Sequence, residues 1–427
     1  MKIKELHQLF LDSSGVSTDT RKISKNSIFF ALKGDNFDGN TFAQIALNSG
    51  SKIAVIDDPD YCSIENTVLV KNTLETLQEL ATFHRDFLKI PIIALTGSNG
   101  KTTTKELINV VLSKKFNTVA TVGNLNNHIG VPLTLLSMDK TTEVGIVEMG
   151  ANHLKEIELL CKIAKPNFGY ITNFGKAHLE GFGGVEGVIK GKSELYEYLI
   201  ANDGLIFINA DDSIQLKKSE KGKIFSFSTS NISDVKIQIV NDNSPTVNMS
   251  FQDEIINSNL IGLYNANNIA AALAIGNYFK ISVTTLKQAI ESYIPSNNRS
   301  QIIKKGSTTL ILDAYNANPT SMEAALSNLS NRQDVVKIAI LGDMFELGQD
   351  AEKEHQYIAD LSLSLHLDKV ILIGANFSRI HLSSDKLSIY ESFKSFKEDI
   401  NTLNMDSTTV LIKGSRGMAL ERIIDLI

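Results

Sequence analysis

Short apolar runs alternate with longer stretches of helical period along most of this chain, the pattern expected of strands and helices wound into parallel sheets. Ser27-Ile28-Phe29-Phe30-Ala31-Leu32 and Ile53-Ala54-Val55-Ile56 read as strands. A helical pattern over 73–88 ends before Pro91, which cannot sit inside a helix. The run Ile92-Ile93-Ala94-Leu95 then breaks at Thr96-Gly97-Ser98-Asn99-Gly100 and restarts as the helical Lys101-Thr102-Thr103-Thr104-Lys105-Glu106-Leu107-Ile108. Val144-Gly145-Ile146-Val147 and Phe168-Gly169-Tyr170-Ile171-Thr172 look like fully buried strands. Residues 204–261 carry more strand signal, and 266–279 reads as a helix. After Pro295 and the polar run Ser296-Asn297-Asn298, the strands 309–312, 337–341, 369–373 and 409–412 alternate with helices as in a doubly wound unit. No internal repeat stands out.

Strand, glycine-rich loop and helix at 92–108 form the layout that cradles a polyphosphate. Glycines let the backbone approach closely, and amide hydrogens at the helix N-terminus face the anion. Gly97, Ser98, Asn99, Gly100, Lys101, Thr102 and Thr103 are therefore the candidate ATP-binding loop. In that loop Lys101 reaches the β- and γ-phosphates, and the Thr102 hydroxyl sits on a magnesium ion. Only two residues separate Gly97 from Gly100, where the common phosphate loop has four, which argues against an ordinary GTPase or motor ATPase. The fold expected is α/β in three domains. Residues 1–89 form a small mixed α/β domain, 90–296 a central P-loop ATPase-like domain with a mostly parallel sheet, and 297–427 a Rossmann-like domain.

Composition narrows the setting. A length of 427 residues exceeds one ordinary core, and a net charge of −6 leaves no basic footprint for nucleic acid. No run of eighteen apolar residues suggests a membrane span, and the mixed charges of Met1-Lys2-Ile3-Lys4-Glu5 do not read as a secretory signal. Cys62 and Cys161 are far apart, and Cys161 lies in the apolar phase of its segment, so it reads as a small buried hydrophobe. The cytoplasm is the expected location.

Catalytic side chains collect at the strand ends of parallel sheets. Glu148 and Asn173 each follow a candidate strand, and His178 lies shortly beyond Asn173. A carboxylate and an imidazole beside a phosphate loop suit a second divalent cation; without that loop, Glu148 reads rather as a helix cap and His178 as a satisfied loop histidine. Lys192 by itself reads as a solvated helix lysine. Asn265 starts a helix and suits a cap. Asn268 is one turn inside, where capping does not explain it, and an amide there suits a base edge. Asp313-Ala314-Tyr315-Asn316-Ala317-Asn318-Pro319 is a dense polar turn, readable as a turn with an N-cap. Arg299 and Arg416 are loop arginines that read as surface charges or as carboxylate or phosphate partners.

Together and in this order, these motifs resemble the Mur ligases of peptidoglycan synthesis, whose relatives include folylpolyglutamate synthase. Four further stretches narrow the resemblance within the family. They are Asp19-Thr20-Arg21 with 29–34, Gly123-Asn124-Leu125-Asn126-Asn127-His128 through Pro132, the polar turn 313–319, and 341–348 with His355. One departure is Asp38-Gly39-Asn40, where the family often has Asp-Gly-His; Asn can still donate and accept hydrogen bonds.

The resemblance implies an ATP-dependent amide ligase working through an acyl phosphate, with UDP-N-acetylmuramoyl-tripeptide and D-alanyl-D-alanine as substrates. It implies Lys101, Glu148, His178, Lys192 and Arg299 as catalytic residues. Two magnesium ions would sit on Thr102, Glu148, His178 and Lys192, the last carbamoylated as the family's corresponding lysine is. Asn265 and Asn268 would contact adenine, with Arg299 and Asp313 closing on the nucleotide. Ser17, Asp19, Thr20, Arg21, Lys33 and Gly34 would hold the uridine diphosphate end. Asn126, Asn127, Tyr315, Asn316, Asn318, Lys413 and Arg416 would face the remaining substrate groups. A monomer is expected. Another ligase of the superfamily is the competing enzyme reading, although the first domain argues against folylpolyglutamate synthase, which lacks one. A nucleotide-switched binding protein is the competing reading from another class, and it would turn over ATP slowly whatever amine is offered.

Overall fold

The alternation read in the sequence becomes three α/β units, each on its own sheet. The computed structural model describes every residue except 241–243, 296–297, 335, 401–402 and 404, so Ser296 and Asn297 of the polar run lie outside the described residues. The first unit has a parallel sheet in the order Val16–Ser17, Ile28–Phe30, Ile53–Ile56, Thr67–Leu69, plus a small hairpin of Lys33–Gly34 with Phe37–Asp38. Helix Thr73–Leu88 follows as the sequence anticipates. Asn72 caps it by accepting from the Glu75 N–H at 3.0 Å, and Lys89 ends it in a left-handed turn before Pro91. Arg85 on this helix anchors the first unit to the second, donating to the carbonyls of Ala164 and Lys165 and to Asn167 Oδ1.

The second unit is built on a seven-stranded parallel sheet. Its order is Val235–Lys236, Lys223–Ser228, Leu205–Asn209, Phe168–Ile171, Ile92–Thr96, Val144–Glu148, Thr118–Ala120. The strand that feeds the phosphate loop thus lies between two others, in register Leu95 with Glu148 and Thr96 with Ile171. Glu148 is itself the last strand residue. The strand-rich region continues as an antiparallel sheet of Gln238–Val240, Thr246–Phe251 and Glu254–Ile261. Helix Ala266–Tyr278 packs on helix Lys101–Leu112, and its run of buried alanines lets the two come close.

The third unit has six strands in the order Gln301–Lys305, Thr308–Asp313, Thr408–Lys413, Val336–Gly342, Lys369–Ile373, Leu387–Tyr390. Its two edge strands, 301–305 and 387–390, were not among those anticipated; the first pairs antiparallel, making the sheet mixed. Neither has a fully buried position, which explains the weak signal. Cys161 is buried, and burial raises its thiol pKa. No helix among the described residues is long and apolar enough to cross a membrane.

Two buried histidines join the first unit to the second. His84 Nε2 meets the Met138 carbonyl at 2.9 Å and must therefore carry the proton, which leaves Nδ1 to accept from His7 Nε2 at 3.0 Å. Burial and then the neighbouring His84 lower the His7 pKa from 6.5 to about 4, and burial lowers that of His84. A histidine held below its unfolded pKa contributes stability that is present above that value and lost as pH falls toward the folded one. The melting temperature should therefore drop between pH 6.5 and about 4, and His7→Leu should flatten that dependence; an unchanged slope in thermal melts of the variant would refute the assignment.

Candidate functional site

The loop after strand Ile92–Thr96 takes its shape from two glycines and one lysine. Gly97 has φ +145°, and a Cβ there would meet Thr172 Oγ1 at 1.9 Å. Gly100 has φ +79°, and a Cβ would meet Asn268 Oδ1 at 2.6 Å. Neither position accepts a side chain without rearrangement. Lys101 Nζ folds back to donate to the carbonyls of Gly97 at 2.6 Å and Ser98 at 3.3 Å. Burial lowers its pKa, Glu148 opposes the shift and Arg299 adds to it. Ser98 Oγ donates to the Gly175 carbonyl at 2.6 Å.

A cavity of about 630 Å³ opens over this loop. Ser98, Asn99, Gly100, Lys101, Thr102 and Thr103 form its floor, while Glu148 and Asn173 come from neighbouring strand ends and His178 from the cap of helix Leu179–Phe182. Glu148 is buried. Its Oε1 accepts from Asn126 Nδ2 at 2.8 Å, and its Oε2 has no hydrogen-bond partner. An unpartnered buried carboxylate oxygen lining the same cavity as the Thr102 hydroxyl fits one divalent cation.

The second cation finds no such fit. His178 Nδ1 lies 2.5 Å from Glu346 Oε2 of the third unit, and Lys192 does not line the cavity. Among the described residues no group of three or more His, Cys, Asp or Glu suits a metal. Lys192 is nonetheless no solvated lysine. It is 0% exposed, donates to the Ala151 carbonyl at 3.2 Å and lies over the Phe182 ring. Burial, then the charge of Lys101, push its pKa well down, and Glu156 and Glu194 oppose them.

Asn265 and Asn268 also line the cavity, and their amides bond within the protein. Asn265 makes no side-chain cap; its Nδ2 donates back to the Ile261 carbonyl at 2.8 Å. Asn268 Nδ2 donates to Asn265 Oδ1 at 2.8 Å, and its Oδ1 accepts from Thr104 Oγ1 at 3.0 Å. This relay braces the helix behind the phosphate loop.

The third unit supplies the opposite wall. Arg299 stacks on the Tyr315 ring at 3.8 Å, with its Nε buried and unpartnered. Asp313 and Lys413 end adjacent strands in register and pair at 2.6 Å, with Lys413 also donating to the Asn316 carbonyl at 3.3 Å. Asn318 caps helix Pro319–Ser330, as the turn reading expects. Tyr264, Thr320 and Ser321 line the cavity without having been anticipated. Tyr264 Oη lies 2.7 Å from Ser300 Oγ, a pairing across sequence that local pattern does not reveal.

Asn127 lines the cavity, but its Oδ1 accepts from the N–H groups of Ile129 and Gly130. Arg416 is exposed, pairs with Glu421 at 2.8 Å and does not line the cavity, which matches the surface-charge reading. Ser17, Asp19, Thr20, Arg21, Lys33 and Gly34 sit on the first unit, outside the cavity lining. There Asp19 pairs with Arg21, and Lys33 lies 3.2 Å from Asp57. Asn40 is buried and donates to Asp38 and Asp57, so the departure at this position is a structural tie between hairpin and strand end.

Three family models cover most of the chain: "Mur ligase family, catalytic domain" over 12–90, "Mur ligase middle domain" over 95–276 and "Mur ligase, glutamate ligase domain" over 298–416. A UDP-N-acetylmuramoyl-tripeptide–D-alanyl-D-alanine ligase of Bacillus subtilis is 34% identical, spanning 97% of this chain and 93% of that protein. The crystal structure of MurF from Acinetobacter baumannii superposes with a TM-score of 0.87 at 30% identity, covering 98% of this chain and 97% of that one. MurF ligase from Thermotoga maritima, solved in complex with ADP, gives 0.86 at 25% identity over 100% and 98%.

The Asp313–Lys413 pair yields a test of the third unit's wall. Asp313→Ala leaves the Lys413 ammonium buried without its counter-charge and should cost about 3 kcal/mol in denaturant unfolding. Adding Lys413→Met should recover most of that loss; equal instability of the single and double variants would contradict the pairing.

Proposed function

Since the chain belongs to the Mur ligase family, we propose that it joins D-alanyl-D-alanine to UDP-N-acetylmuramoyl-tripeptide, with conversion of ATP to ADP and phosphate. The observation that carries this reading is the shared cavity, floored by the phosphate loop and walled by Arg299, Asp313 and Tyr315. Relatives of that specificity match nearly the full length, first unit included. We place the reaction in the cytoplasm, with the protein acting as a monomer.

In this reading the terminal carboxylate of the tripeptide attacks the γ-phosphorus of ATP. The bond from that phosphorus to the β-phosphate oxygen breaks, giving an acyl phosphate and ADP. The dipeptide amine then adds to the acyl carbon, the tetrahedral intermediate expels phosphate, and the nitrogen loses its extra proton. Such chemistry depends on positioning and charge neutralisation. Lys101 holds the transferred phosphate, and the backbone amides of the loop cradle its neighbours. The unpartnered Nε leaves Arg299 able to donate toward the nucleotide from the third unit. A magnesium ion held by Thr102 and Glu148 would supply further neutralisation of the phosphates. The enclosing units keep water from the acyl phosphate. Lys192 enters the proposal as a carbamate, which would give the buried nitrogen an anionic group beside Lys101.

Phosphate release with UDP-muramoyl-tripeptide and ATP, measured with each amine in turn, tests the specificity. D-alanyl-D-alanine should stimulate it well above free amino acids and other dipeptides, and equal rates with all would sink the reading. For Lys192, labelled bicarbonate should give a carbamate carbon resonance that Lys192→Ala lacks, together with loss of activity partly restored by short-chain acids. A fully active Lys192→Ala would remove the residue from the site.

A further inference from the structure

Asn99 lies at the tip of the phosphate loop, and each of its polar atoms has a partner. Its N–H donates to Asn173 Oδ1 at 3.1 Å, and its carbonyl accepts from Thr172 Oγ1 at 2.6 Å and from Asn173 Nδ2 at 3.0 Å. Those partners follow the neighbouring strand of the same sheet. The side chain is held differently, by a residue of the third unit. Asn318 Nδ2 donates to Asn99 Oδ1 at 2.7 Å, and Asn99 Nδ2 approaches Asn318 Oδ1 at 3.4 Å.

The amide of Asn318 has its orientation fixed by a second task. Its Oδ1 accepts from the Ser321 N–H at 2.9 Å as the cap of helix Pro319–Ser330, so Nδ2 is the atom turned to the loop. The same helix end is seated on the second unit by the Lys176 N–H, which donates to Thr320 Oγ1 at 3.1 Å. Farther out, Lys176 Nζ reaches the buried Glu354 at 2.7 Å. Docking of the third unit therefore delivers one amide to the loop tip, and its withdrawal would release the Asn99 side chain while leaving the backbone bonds intact.

We propose that Asn318 is a positioning residue for phosphoryl transfer: acting through Asn99, it fixes the tip of the phosphate loop when the third unit is docked. This assigns its amide to the loop in place of the peptide substrate, and it rests on the ligase reading for what the loop positions. A cap alone would act on the helix Pro319–Ser330; a clasp acts on a loop more than two hundred residues earlier in the chain.

The test uses Asn318→Ser, which keeps an acceptor for the cap and removes the amide donor, and Asn99→Ala, which removes the other half. Hydrogen exchange of the 98–102 amides in the full-length protein should rise about 3- to 10-fold in each variant, the weight of one neutral hydrogen bond. The turnover number for phosphate release should fall by a similar factor, and the double variant should be no worse than either single one. Unchanged loop exchange in Asn318→Ser, or losses that multiply in the double variant, would overturn the clasp. So would faster exchange confined to the helix Pro319–Ser330 with turnover kept. A wild-type protein unresponsive to D-alanyl-D-alanine would defeat the ligase reading alone, and loop exchange would still decide the clasp.

Discussion

Burying the Lys101 ammonium is costly unless its charge is met, and the loop around it is built to meet that charge. Its own carbonyls at Gly97 and Ser98 turn inward to accept from Nζ, and Glu148 lies close enough to oppose the fall in pKa. The inward carbonyls demand backbone angles that only Gly97 and Gly100 tolerate beside Thr172 and Asn268. Thr172 and Asn173 then hold the outer face of the turn. The loop is thus a constrained object in which several constraints serve one cation, and other parts of the site are arranged around it.

The three units divide the work by what they can hold rigidly. The second carries the glycine-rich loop, Glu148 and Asn173, all at the carboxyl ends of parallel strands. The third carries a wall of charge in which Asp313 and Lys413 satisfy each other and leave Arg299 stacked and partly unpaired. Contacts such as His178 with Glu346 and Lys176 with Glu354 seat that wall on the second unit. The histidine read as a metal ligand lines the cavity and also meets Glu346, so it ties the second unit to the third.

What the sequence disclosed and concealed follows the range of the interactions involved. The strand–loop–helix at 92–108 was legible because glycine, lysine and period act within a few residues. Helix 73–88 was legible for the same reason, with its helical period running up to Pro91. Edge strands 301–305 and 387–390 escaped notice because half-solvated strands lose the apolar signature. Lys192 looked solvated because nothing nearby in sequence announces the walls that bury it. Asn268 looked free to bind a base, since its partners Thr104 and Asn265 are fixed only by packing two helices together. The burial of Lys192 and the Thr104–Asn268 bond are contacts between segments far apart in the chain.

The position of strand Ile92–Thr96 within its sheet has a consequence for how the protein is made. Both of its neighbours, Val144–Glu148 and Phe168–Ile171, lie downstream in the chain. A nascent chain that stops short of residue 168 carries the complete glycine-rich sequence but cannot hold the loop in place, because Thr172 and Asn173 have not been synthesised. Long-range parallel pairing of this kind is slow to form. The most local signature in the sequence is thus among the last features to acquire its function during biosynthesis.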